Sequence, residues 1–234
     1  MRGDLGIMKY AGKSKINYAI DIWKIAGPWI FVRRLLSNIY SLTTYIGLVK
    51  DLGVKGSPVS ARIEYTLQLA SDEDMEEVFQ RASSEDSATA HELLHRKSFY
   101  NAGYHNCYIA RASEGNEICH LKWIITTKDI EGMSPLYRYI LGRLTEKDML
   151  TENTFTFPKY RKSRVGAAVR YELSQMAKGQ GFTRMFGYVQ KGNTAALKSF
   201  LIDGYAQFEE VSWRKLFFRS TLSHKPIGSE KSKL

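Results

Sequence analysis

The stretch Phe155-Thr156-Phe157-Pro158-Lys159-Tyr160-Arg161-Lys162-Ser163-Arg164-Val165-Gly166 constrains the fold of this chain more than any other. A β-prone run over residues 151–157 ends at a proline, which cannot donate to a strand ladder. A short basic loop follows, and Gly166 opens a helix predicted to reach residue 178. The first amides of a helix have no intrahelical partner and carry partial positive charge. Arg161, Lys162 and Arg164 add full charges, and Gly166 leaves no side chain to obstruct a phosphate. Strand, cationic loop and helix start, in that order, form a site for a pyrophosphate. Taken alone, the loop also fits a basic surface turn.

A second segment adds weight. Asn193-Thr194-Ala195-Ala196-Leu197-Lys198-Ser199-Phe200-Leu201-Ile202-Asp203-Gly204-Tyr205 opens on an N-cap residue and stops at Gly-aromatic. A strand is predicted between the two segments at 183–189. Upstream, Ile63, Tyr65, Leu67 and Leu69 alternate with polar residues, which predicts a half-buried strand. Ser71 with Asp74 three residues on predicts a capped helix. A helix over 87–100 and a hairpin of strands 106–112 and 118–126, turning at Glu114-Gly115-Asn116, come next. A strand over 208–218 closes the series. This order implies an α+β or α/β arrangement around one sheet.

Together the two segments resemble the cofactor motifs of the GNAT (N-acetyltransferase-like) acyl-CoA acyltransferase superfamily. The first is similar to the family's strand, Pro-x-Tyr-Arg and (Arg/Gln)-x-x-Gly-x-(Gly/Ala) loop. The second is similar to its Asn-x-x-Ala-x-x-x-Tyr helix ending in Gly-Phe. The resemblance spans roughly residues 60–218. It implies a mixed, mostly antiparallel sheet flanked by helices, with parallel splayed strands at 151–157 and 183–189. It also implies transfer of an acyl group, acetyl by default, from acyl-CoA to an amine by direct attack. The backbone of Phe155 and Phe157 would pair with the pantetheine arm. Arg161, Lys162, Ser163, Arg164, Val165, Gly166 and Ala167 would hold the pyrophosphate, and Asn193, Ala196 and Phe200 would complete the cofactor wall. An N–H near Phe157 would act as an oxyanion hole. Family members that make N-acyl amino acids imply a longer-chain or acyl-carrier-protein donor as the alternative.

Two positions depart from the family pattern. Arg164 stands where the loop usually has glycine, and Phe200 where many members carry the tyrosine that protonates the leaving thiolate. The second departure keeps a non-catalytic acyl-CoA-binding module in view. Glu152 is the candidate base, read beside the plainer and preferred alternative of a solvated strand-edge glutamate.

His91-Glu92-Leu93-Leu94-His95 matches the spacing of a zinc hydrolase helix. Asn101 occupies the place of a third histidine six residues beyond His95, so a packed or solvated helix face is preferred and no metal is expected.

The first 58 residues carry nine Lys/Arg against three Asp/Glu, in a chain of 234 residues with net charge +10. Ile16, Ala19, Ile20 and Trp23, then Leu35, Leu36, Ile39, Leu42, Ile46 and Val49, predict two amphipathic helices broken near Gly27-Pro28. The predicted organisation is a basic helical extension at 1–58, an acyltransferase domain at 59–220 and a basic tail at 221–234. Trp23, Trp29, Phe31 and Tyr40 among basic residues suit an anionic membrane surface, the transferase domain or a second subunit in a homodimer. No nucleic-acid motif accompanies the charge. Arg33 and Arg34 interrupt the longest apolar stretch, so no transmembrane helix is expected. Cys107 and Cys119 read as buried free thiols. With no signal-peptide pattern, the expected location is cytoplasmic, with peripheral membrane contact as a variant.

Overall fold

The computed structural model describes residues 40–54, 56–129, 135–216 and 219–228. Among these residues, eight strands form one sheet: β1 (Tyr40–Asp51), β2 (Tyr65–Leu69), β3 (Cys107–Ala112), β4 (Ile118–Ile125), β5 (Asp148–Thr156), β6 (Arg184–Gln190), β7 (Ala206–Leu216) and β8 (Arg219–Pro226). Their spatial order is β2-β3-β4-β5-β6-β1-β7-β8. Among the described residues, five α-helices accompany them: α1 (Asp72–Gln80), α2 (Ser87–Asn101), α3 (Pro135–Leu141), α4 (Val165–Gly179) and α5 (Thr194–Ile202). The fold is α+β, with a mostly antiparallel sheet flanked by helices. Every neighbouring pair is antiparallel except β5 with β6.

Local chemistry sets the helix starts. Ser71 and Asp74 form the reciprocal capping box of α1. The Asp86 carboxylate accepts from the amides of Ala88 and Thr89 at the head of α2. In α4, Val165, Ala168, Val169, Leu173 and Ala177 are buried at helical spacing, which packs it onto the sheet.

The expected helix through Leu42, Ile46 and Val49, inside a separate 1–58 extension, is corrected for residues 40–51. That stretch is β1, inserted between β6 and β7. Tyr45, Ile46, Gly47 and Leu48 are all buried. A strand covered on both faces reads as a run, not an alternation, and its apolar positions then mimic helical spacing. Tyr40, expected on a membrane or packing helix, begins this strand and is exposed. The start of the expected tail is also strand: β8 extends the sheet along β7. The expected helix through Ile16 and Trp23, with Trp29 and Phe31, lies outside the described residues. Among the described residues, no helix is long and apolar enough to cross a membrane.

β5 and β6 pair over Asp148–Thr151 and Arg184–Gly187 and then part. Beyond Thr151, β5 stays with β4 while β6 continues along β1. The gap between them is the site described next.

Candidate functional site

A cleft of about 730 Å³ opens where β5 and β6 diverge. Its walls come from Glu152, Asn153, Thr154 and Thr156 on β5, Tyr188 to Gln190 on β6, Tyr45 on β1, and the facing ends of α4 and α5. Arg161, Lys162, Arg164, Val165, Gly166 and Ala167 line one end. Asn193, Ala196 and Phe200 line the opposite wall. The structure thus gathers ten of the thirteen expected site residues, counting Glu152, around a single cleft.

The loop folds for reasons its residues supply. Pro158–Tyr160 makes a 3₁₀ turn, and the Ser163 hydroxyl donates to the Tyr160 carbonyl at 2.7 Å while accepting from the Val165 amide at 3.3 Å. Ser163 therefore closes the loop from behind and is absent from the cleft wall. Lys162 and Arg164 sit at φ 68° and 65°, the left-handed region that favours glycine. Arg161, Lys162 and Arg164 are exposed, so their charges face solvent at the cleft mouth. Gly166 is required by packing: a Cβ there would lie 3.0 Å from the His120 ring.

Phe155 and Phe157 also stand off the cleft wall. They are 5% and 0% exposed, and their rings meet edge to face at 5.0 Å. The guanidinium groups of Arg96 and Arg81 cover them. The Phe157 amide donates to the Cys119 carbonyl at 3.1 Å. The expected oxyanion donor at Phe157 is therefore committed to the sheet. The departure in β5 comes earlier, at a bulge where Glu152 faces Trp123 and Phe155 faces Leu121. Asn153 takes φ 52° there. It is 2% exposed, and neither atom of its side-chain amide has a hydrogen-bond partner among the described residues. A buried amide left unpaired costs about 1–3 kcal/mol per group, and this one stands on the cleft wall.

His120 lines the cleft and Lys122 lies buried behind its wall, and motif reading missed both. His120 and Lys122 lie two apart on β4 and share a face. Both are fully buried. The His120 Nδ1 is 2.7 Å from the Thr156 hydroxyl, and burial holds the ring well below its usual pKa, with Lys122 next in effect. The Lys122 ammonium donates to the Thr154 hydroxyl at 3.0 Å and lies 5.6 Å from the centre of the Phe200 ring. Burial pulls its pKa down to about 7, Arg170 pulls further, and Glu152 and Asp203 oppose. Glu152 is 5% exposed, which overturns the solvated strand-edge reading. It accepts from the Tyr137 hydroxyl of α3 at 2.8 Å. Burial raises it to about 7, against the hydrogen bond from Tyr137 and the charge of Lys122. A signal existed in the sequence: two basic residues alternate with apolar ones inside an otherwise core strand.

Phe200 is buried beneath Arg170, whose guanidinium lies 4.1 Å from the ring centre. Arg170 donates from Nε to the Asp203 carboxylate at 2.6 Å and from Nη2 to the Ser199 hydroxyl at 2.7 Å. This buried pair ties α4 to the end of α5 across the cleft. Removing one partner of such a pair typically costs about 3–5 kcal/mol. Tyr188 lines the cleft but donates its hydroxyl to Glu209 at 2.6 Å.

His91 and His95 fall on α2 outside the cleft wall, and Glu92 pairs with Arg96 at 2.8 Å. Among the described residues, no group of three His, Cys, Asp or Glu is placed to hold a metal. Cys107 and Cys119 are buried and free.

No protein-family model matches the chain, and no curated protein does. Solved structures do match. The GCN5-related glucosamine N-acetyltransferase region of a fungal multi-domain GH3 β-N-acetylglucosaminidase superposes with a TM-score of 0.55 at 14% identity, over 83% of this chain and 22% of that one. A GNAT-family acetyltransferase from Colwellia psychrerythraea gives 0.50 at 11% identity, over 85% and 62%. A functionally unknown conserved protein from Staphylococcus epidermidis gives 0.50 at 11% identity, over 80% and 66%. The chain thus spans less than two-thirds of each of these proteins. On the sheet order, the diverging parallel pair and these superpositions, the chain has the fold of the GCN5-related N-acetyltransferases, the GNAT superfamily.

Proposed function

We propose that the protein is an N-acyltransferase that moves an acyl group, acetyl by default, from acyl-CoA to an amine. One observation carries the reading. A cleft between diverging parallel strands has a cationic helix start at one end and a buried carboxylate, Glu152, on its floor. The helix start and Arg161, Lys162 and Arg164 suit the pyrophosphate of CoA. The narrow gap past Thr151 suits an extended pantetheine arm, with the bulge at Asn153 beside the thioester. Glu152, raised by burial to about 7, suits uptake of a proton from the attacking amine near neutral pH.

Thermal unfolding with and without acetyl-CoA tests the donor site. A ligand bound only by the native state raises its stability, so acetyl-CoA should shift the transition upward. Arg161→Ala with Lys162→Ala should reduce that shift. An unchanged shift in the double variant would remove the phosphate assignment. A panel of amines with acetyl-CoA, medium-chain acyl-CoA and carrier-bound donors, read by released thiol, tests transfer itself. Binding without transfer anywhere on the panel would favour the binding-module reading, which Phe200 motivates. A carrier-bound donor remains part of the proposal because the chain is strongly basic.

A further inference from the structure

The cleft has Phe200 where the family resemblance calls for a tyrosine, and a buried lysine lies behind its wall. Lys122 is 0% exposed, and its ammonium reaches the cleft through one atom, the Thr154 hydroxyl at 3.0 Å. Thr154 lines the cleft on the strand opposite Phe200. The ammonium also lies 5.6 Å from the centre of the Phe200 ring. A lysine is rarely fully buried without a carboxylate in direct contact. Here its hydrogen-bond acceptor is a hydroxyl, which can pass a proton onward.

We propose that Lys122, acting through the hydroxyl of Thr154, supplies the proton taken up by the departing thiolate. The inference rests on the acyl-CoA reading of the cleft. The acceptor nitrogen bonds to the thioester carbon, and the C–S bond then breaks with its electron pair on sulfur. Sulfur takes the Thr154 hydroxyl proton, and the Thr154 oxygen takes one proton from the Lys122 ammonium. The proton lost by the attacking nitrogen goes to the Glu152 carboxylate. Lys122 is left as a neutral amine and Glu152 as a neutral acid. One proton passing from Glu152 to Lys122 restores both. Thr154 touches the reacting sulfur, and Lys122 is the positioning residue that holds and recharges it.

The surroundings keep Lys122 able to lose its proton. Burial weighs most, and Arg170 of α4 adds repulsion. Glu152 of β5 and Asp203 at the end of α5 oppose them. His120, on the same strand, is held neutral by burial and by Lys122, Arg170 and Arg96. The balance leaves Lys122 at about 7, close to the pH at which a proton donor works best.

The test uses acetyl-CoA and the amine of the panel that gives the highest turnover, from about pH 6 to about pH 9. A step that needs the Lys122 ammonium slows as pH rises through the lysine's pKa. The wild-type kcat profile should therefore fall on its alkaline side. Lys122→Met should keep the acetyl-CoA thermal shift and a KM for acetyl-CoA within about threefold, lose about 10²-fold in kcat, and lack the alkaline fall. Thr154→Val should lose a similar factor, while Thr154→Ser should keep the wild-type profile. Wild-type kcat and alkaline fall in Lys122→Met overturn the proposal. Should that variant not fold, unchanged kcat in Thr154→Val overturns it equally. Wild-type protein that binds acetyl-CoA but transfers nothing also overturns it and leaves the donor site standing. Wild-type protein that does not bind acetyl-CoA overturns both readings.

Discussion

Lys122 and Glu152 put opposite pH dependences into the stability of the same fold. Burial lowers the lysine from 10.5 to about 7 and raises the glutamate from 4.5 to about 7. For Lys122 the unfolded chain binds more protons than the folded one between about pH 7 and 10.5, so its contribution to stability rises with pH across that window. For Glu152 the folded chain binds more protons between 4.5 and about 7, so its contribution falls as pH rises there. Lys122→Met should therefore be more stable than wild type at pH 7, by on the order of a few kcal/mol, with the gap closing toward pH 10. Urea midpoints at both pH values read this directly. A gap that stays constant with pH would show that the ammonium is not strained by burial. The same residues explain how far single positions could be read from sequence. Phe200 and Asn193 were legible through the resemblance to the family's helix motif, and the basic loop through its charge and its place between a strand and a helix start. Lys122 and His120 left only a faint signal, their alternation with apolar residues, because a charged residue in a core strand shows its burial only once strands β3 and β5 flank it. Asn153 needed the bulge, which no local pattern announces.

At the scale of elements, the loop between β5 and α4 carries a conflict between backbone and charge. Arg164 stands at φ 65° immediately before α4, where a side chain costs about 1–2 kcal/mol relative to the right-handed region. Arg164→Gly should relieve that strain, offset in part by the greater freedom glycine has in the unfolded chain. The net gain should be about 0.5–1 kcal/mol in a urea titration, accompanied by a smaller acetyl-CoA thermal shift. A variant less stable than wild type would mean that the guanidinium anchors the loop. Sequence placed α1, α2, α4, α5 and six of the strands within a few residues, because caps, turn residues and alternation are local signals. β1 defeated it for a reason of topology. A central strand between β6 and β7 is buried through Tyr45, Ile46, Gly47 and Leu48, so the alternation that marks a half-solvated strand never forms. α3 was missed as well, and its Tyr137 holds Glu152. β8, mostly exposed, has almost no apolar pattern and exists by pairing with β7.

Across the whole molecule, exposed charge and buried charge play different parts in the proposed donor site. The chain carries a net charge of +10, and the exposed cations that line its cleft include Arg161, Lys162, Arg164 and Lys198. Ions screen exposed charges over about 10 Å at 0.1 M salt, whereas groups sealed from solvent feel little of it. Arg170 and Asp203, with side chains 6% and 5% exposed, belong to the sealed class, as does Lys122. If phosphate is held at the mouth, the acetyl-CoA thermal shift should shrink as salt rises from about 0.05 to about 0.5 M. The double variant Arg161→Ala with Lys162→Ala should show a weaker shift and a flatter salt dependence. Arg170→Ala should act differently, because it opens the tie between α4 and α5 and strands Asp203 in the interior. Its loss should appear as lower stability without ligand, at every salt concentration. A shift that ignores salt in the wild type would transfer the phosphate role from the surface cations to the helix amides at Val165 and Gly166. In that case charge at the mouth would serve to draw the anion in, and association rate rather than affinity would carry the salt dependence.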